Sequence, residues 1–409
     1  MQDDQSSRRR FLTGAAALAV GNPASVRAAK KNPAGGGILA YVGSYSSPQG
    51  PEGSRGRGKG IYLFEVNRST GGLTQREIVP NESNPSWLAF NPAKTHLYSG
   101  NETGTFEGAA SGSVSAYRVD PASGHLMQLD TVSSRGAGPA QLSVHPSGKF
   151  VLVANYAGGT VAVLAVRGDG SLGETTDVKH DSGAVGPAKA TSAPPGSFAI
   201  SGHDRPHAHM IHSDPSGRFV LATDLGMDRI FVWKFDDDKG KLLETGHGSV
   251  ALPPGDGPRH FCFHPNGRWM YSLQEEGSTL VLFDFDPSSG ALAARQTIST
   301  LPKGFAGTSF TSEVALSPDA RFVYAANRLH DTIAWFSVGS TGTLTFSGEE
   351  WTRGDYPRSF SIDPSGNFLY SCNQRSDVIA TFRVHRETGR LAFTGQYTPV
   401  GTPAILVFR

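Results

Sequence analysis

The chain has 409 residues and a formal net charge of +1, with acids and bases interspersed, so neither a basic face for nucleic acid nor an acidic tail is encoded. With 50 glycines, 26 prolines, aromatics at 10% and no long run of 3.6-residue periodicity, a helical protein is excluded in favour of many short strands joined by tight turns. Cys262 and Cys372 both lie in apolar strand text; they rule out a disulfide framework and are expected to be buried free thiols.

At the N-terminus, Ser7-Arg8-Arg9-Arg10-Phe11-Leu12 precedes a short apolar run, residues 14–20, and then Val26-Arg27-Ala28. The pattern resembles a twin-arginine export signal with a small-residue cleavage site, and the run is too short to span a bilayer. Residues 1–35 are therefore read as signal peptide and linker for the twin-arginine export machinery, the alternative being a basic tail. Residues 36–409 are read as one domain of a periplasmic or secreted protein, with no stable membrane insertion and no nucleic-acid partner.

Two elements then repeat along the chain. A Gly-x-Leu doublet recurs at Leu73, Leu126, Leu172, Leu242, Leu292, Leu344 and Leu391, at intervals of 46 to 53 residues apart from one of 70. The longer interval holds a Gly/Pro/Ala/Ser-rich stretch, residues 181–205, that reads as an inserted surface loop. Upstream of six doublets lies a short strand, an x-Pro-x-Gly type of turn and a second apolar strand, as in VHPSGKFVLVANY, SDPSGRFVLATDL and FHPNGRWMYSLQE. The seventh copy is split: Tyr41–Tyr45 supplies its second strand, and Thr402–Phe408 matches the first. About fifty residues and four antiparallel strands per unit, seven times, predict an all-β, seven-bladed β-propeller closed by N- and C-terminal strands sharing one blade.

In such a ring the start of the innermost strand lies beside the end of the second, at one mouth of the channel. The first column reads Ser86, Ala140, His209 (with His207), Arg259, Glu313, Arg358 and Ala404. The second reads Tyr45, Glu102, Tyr156, Leu225, Glu275, Arg328 and Gln374. Arg, Glu and His thus converge on one concavity, whereas the opposite mouth holds turn formers such as Asn91, Asp214 and Asp363, with His145 and His264 assigned to turns. Exposed charge is the ordinary alternative for such a rim. His207-x-His209 is a metal-like pair, but no further ligand completes it, so no metal is expected. By strand alternation His260 and Glu276 should point away from the site.

The segments PHAH (206–209), DLGMD (224–228), GPRHFCFHPNG (257–267), EVALSPDARFVYAANR (313–328) and YPRSFSIDPSG (356–366) resemble the lactonase seven-bladed β-propeller family, over nearly all of residues 37–409. That family includes propeller-type 6-phosphogluconolactonases and a carboxymuconate cyclase. The resemblance implies lactone chemistry with no cofactor and no metal, a catalytic group of His209, Arg259, Glu275 and Arg328, and further charged positions at Glu313 and Arg358. With His207, Glu102, Tyr156 and Gln374, the last two make up the expected substrate-binding set. Two departures stand out: Gln274-Glu275-Glu276 where the family often has Asn-Glu-Leu, and the insertion before PHAH, placed where it would cover the mouth.

The expected substrate is a small lactone or sugar acid. His209 would activate water, Arg259 and Arg328 would stabilise the oxyanion, Glu275 would orient an arginine or histidine, and Arg358 would offer a bidentate contact to a carboxylate or phosphate. Two rivals remain: a non-catalytic propeller binding an anionic sugar or a protein, and a muconate-type cycloisomerase.

Overall fold

The Pro/Gly turns and the apolar runs between them form antiparallel hairpins throughout residues 37–48, 55–197 and 202–409, which a computed structural model describes. Residues 1–36, and with them the proposed export signal, lie outside the described residues. Among the described residues there are seven four-stranded sheets, six of them built from consecutive strands. The seventh is ordered Pro403–Phe408, Ile38–Ser44, Gly60–Val66, Leu73–Pro80, so the C-terminal strand is the inner strand of the first blade. It pairs antiparallel with Ile38–Ser44 and touches the inner strands on either side, Pro85–Phe90 and Pro357–Ile362. The seven-bladed ring and its split closing blade are as the repeats predict.

The core is divided into seven wedges, each between two adjacent blades. Leu152, Val163, Ile211 and Val220 join blades three and four, for example, and Val42, Phe64, Tyr370 and Leu406 join blades seven and one. Burial on both faces explains why the middle strands read as near-continuous apolar runs rather than as strict alternation. Cys372 is buried and Cys262 half-buried, both as free thiols.

The Gly-x-Leu doublet is explained by its turn. Its seven glycines all have φ between 62° and 87°, a region an L side chain rarely adopts. In five cases the glycine carbonyl also accepts a hydrogen bond from a tyrosine of the preceding blade: Tyr41 to Gly124 (2.6 Å), Tyr98 to Gly170 (2.9 Å), Tyr271 to Gly342 (2.8 Å), Tyr324 to Gly389 (2.8 Å) and Tyr370 to Gly71 (2.9 Å). The repeat is thus a latch between neighbouring blades as well as a turn within one.

Candidate active site

Every inner strand carries a bulge near its start. The ladder passes over Ala404, Ser86, Ala140, His209, Arg259 and Arg358, and in the sixth blade over both Ser312 and Glu313. A bulged residue has no cross-strand partner, so its side chain is re-aimed out of the ordinary alternation. These are the positions of the first column. Just past the second strand, Glu102, Tyr156 and Glu275 return their N–H groups to the carbonyls of Asn84, Gly138 and Gly257 at 2.9, 2.7 and 2.7 Å. That bond holds the second column beside the first.

The two columns enclose a cavity of about 170 Å³ lined by Glu102, Ala140, Tyr156, His209, Glu275, Arg328 and Arg358. It is smaller than the roughly 300–1,000 Å³ of pockets for drug-sized ligands, a size suited to a compact ring.

His209 meets the edge of Tyr156 at 5.4 Å and that of His260 at 5.0 Å, and its buried Nδ1 has no hydrogen-bond partner. Burial, then the positive charges of Arg259 and its neighbours, hold its pKa well below the ordinary histidine value of 6.5. It is therefore a neutral imidazole.

Glu275 is gripped from two sides: its Oε2 accepts from Arg259 Nε at 2.9 Å and from Arg328 Nη2 at 2.7 Å. Arg328 also donates to the Tyr356 hydroxyl (3.1 Å) and the Thr311 carbonyl (2.9 Å), with its guanidinium over the rings of Tyr356 and Phe310.

On the other side of the ring Glu102 Oε2 accepts from Tyr45 (2.8 Å) and Ser86 (2.7 Å), while its Oε1 faces Arg358 Nη2 at 3.8 Å. Burial pushes the hydroxyl pKa values of Tyr45 and Tyr156 upward, keeping both as neutral donors.

Six of the ten expected site residues line the cavity: His209, Glu275, Arg328, Glu102, Tyr156 and Arg358. Four do not. Arg259 is buried behind Glu275, its Nη1 engaged by the Ser312 carbonyl and by His260 Nε2 at 3.2 Å. Burial and the neighbouring Arg328 and Arg358 lower its pKa to about 10. His207 stacks behind Tyr156 at 4.2 Å and is held by the Tyr156 carbonyl and by Asp204, so it buttresses the tyrosine. Glu313 accepts from His260 Nδ1 at 3.1 Å, and Gln374 is buried with its N–H on the Tyr356 carbonyl.

His260 is a correction. Because a guanidinium can only donate, Nε2 of His260 accepts from Arg259 and its proton sits on Nδ1, toward Glu313. Its ring also reaches Trp87 of the second blade at 5.2 Å, so it projects across the channel rather than away from it. The bulge at Arg259 breaks the alternation that would have turned it outward. Glu276 does turn away, toward His203 at 3.7 Å.

The described part of the insertion is tied down beside the mouth, by Gly186 to Gly226 (2.9 Å), Gly307 to Pro195 (2.8 Å) and His203 to Asp228 (3.1 Å), and none of it lines the cavity. Among the described residues no group of three or more His, Cys, Asp or Glu is placed to hold a metal ion.

Residues 39–408 match the family described as lactonase, 7-bladed beta-propeller. The chain belongs to that family. It is 33% identical to a 6-phosphogluconolactonase of Bacillus subtilis over 371 residues, covering 90% of this chain and 98% of the relative. A 6-phosphogluconolactonase of Pectobacterium carotovorum is 30% identical, with 88% and 95% covered. Among solved structures, a periplasmic gluconolactonase of Pseudomonas aeruginosa superposes with a TM-score of 0.79 at 31% identity, covering 91% of this chain and 98% of its own.

Proposed function

We propose that the chain is a lactonase that opens the ring ester of a sugar lactone, with water as the nucleophile. The observation that carries this reading is a neutral, buried histidine facing the same small cavity as a guanidinium and a paired carboxylate. His209 accepts the proton of the attacking water. Arg328 faces the carbonyl oxygen as negative charge develops, and Glu275, shared with Arg259, holds that guanidinium in place. Arg259 acts from behind Glu275, as a fixed positive charge and a support rather than as a contact to substrate. Ring opening breaks the bond from acyl carbon to ring oxygen, and the proton taken by His209 returns to the alkoxide that leaves.

Export through the twin-arginine route would place the enzyme in the periplasm, where unphosphorylated aldonolactones are the accessible substrates. The arginine-rich N-terminal pattern and the periplasmic gluconolactonase among its structural relatives support that location.

The test is acid release from glucono-δ-lactone, its 6-phosphate and a galactonolactone at pH 6–7, against the spontaneous rate. His209→Ala should lower enzymatic hydrolysis by at least about two orders of magnitude, the scale of a general base. Near-normal turnover in that variant removes His209 from the mechanism, and no acceleration of any lactone by the parent protein removes the lactonase reading.

A further inference from the structure

We propose that Glu102 is a specificity-determining residue: it accepts hydrogen bonds from the hydroxyl tail of the lactone and selects an uncharged tail over a phosphorylated one. This rests on the lactonase reading and adds an orientation for the substrate. The cavity is two-sided. Of its lining, His209, Glu275 and Arg328 come from blades four to six, whereas Arg358 and Glu102 come from blades seven and two. With the reacting ester against His209 and Arg328, the rest of a compact sugar extends toward Glu102.

The two carboxylates of the cavity are in different states. Glu275 has one oxygen shared by two guanidinium groups within hydrogen-bond distance. Among the described residues no guanidinium is that close to Glu102: Oε2 takes the hydroxyls of Tyr45 and Ser86, both buried, and Oε1 stands 3.8 Å from Arg358. A carboxylate only accepts. With its orientation set by the two hydroxyls, Oε1 is an acceptor presented beside the cavity and suits a substrate O–H. A phosphate dianion at the same place would meet like charge in a buried setting, where such repulsion is weakly screened. The Arg358 guanidinium already faces the Glu102 carboxylate, so this side of the cavity is close to neutral rather than cationic.

Glu102→Gln reverses the acceptor. The amide oxygen can keep the hydroxyls of Tyr45 and Ser86, and the amide nitrogen then presents donors where Oε1 accepted. Steady-state hydrolysis of glucono-δ-lactone and of its 6-phosphate is measured in parallel for the parent protein, Glu102→Gln and Ser86→Ala. The parent should favour the unphosphorylated lactone. Glu102→Gln should raise KM for it about tenfold with kcat within about twofold, and shift the ratio of kcat/KM toward the phosphate by about tenfold or more. Ser86→Ala, which loosens the carboxylate without removing it, should move the ratio in the same direction by a few fold and guards against misfolding of the first variant. A parent that prefers the phosphate, or a ratio unchanged in Glu102→Gln, overturns the proposal. Calorimetric binding of gluconate and 6-phosphogluconate to the same proteins separates the two readings. If no lactone is hydrolysed but gluconate binds better than its phosphate and the preference collapses in Glu102→Gln, the lactonase reading fails and the role of Glu102 stands. Equal loss of both acids overturns it.

Discussion

The role proposed for His209 as a base needs a neutral ring, and its surroundings supply one. Burial and the nearby arginines disfavour the imidazolium, so the ring stays neutral well into the acid range. The expected outcome is a kcat/KM that stays level from pH 8 down through 6.5, with an acid limb only well below that value; a limb centred on 6.5 would contradict the burial argument. The same shift bears on stability. The folded pKa is depressed, so this contribution is fully present above the unfolded value of 6.5 and is lost as pH falls from there through the folded value. His209→Gln should therefore lose less melting temperature than the parent between pH 6.5 and 5. At this scale the sequence was informative about identity and less so about depth. His209, Glu275 and Arg328 were legible as entries in two aligned columns, but that Arg259 lies behind Glu275 depends on how side chains from neighbouring strands pack, which no single repeat encodes.

Among the elements, the bulge decides most. Strand alternation alone would send His260 outward, and it fails because one unpaired residue shifts the register of the inner strand against its partner. In five of the seven blades a proline stands immediately before the bulged residue, a step visible in the sequence whose consequence for the next residue was not. The tyrosine-to-glycine latches were also hidden, since the two partners sit in different repeats, 65 residues apart for Tyr324 and Gly389. Tyr324→Phe leaves a buried carbonyl without its donor and should cost about 1–3 kcal/mol in denaturant unfolding. Tyr324 is not among the residues that line the cavity, which predicts unchanged kcat/KM; a loss of activity without loss of stability would show that the latch has another role.

The whole ring depends on one strand for closure. Pro403–Phe408 pairs with Ile38–Ser44, and Thr402 bonds to Tyr45 and Asp377 beside it, so two chain segments far apart in sequence complete a single sheet. Removing residues 402–409 would uncover an edge of the first blade and both wedges that Ile405 and Leu406 fill. A sharp drop in melting temperature is expected, measured by circular dichroism on the truncated chain; an unchanged melting curve would mean that closure adds little. Seven copies of one repeat made the propeller legible from spacing alone, and the missing first strand pointed directly to its place at the C-terminus. The contents of the channel were less so, because they depend on contacts across the axis, such as His260 with Trp87.

The unpaired residue at the start of each inner strand has a consequence for how such a protein can change. Because the ladder makes no demand on Ala404, Ser86, Ala140, His209, Arg259 or Arg358, strand pairing is indifferent to what stands there. The mouth behaves as a dial set on a ladder that does not read it: alanine at two positions leaves space, and a substitution at any one is felt through side-chain contacts, such as those of Arg259 with Glu275, rather than through strand pairing.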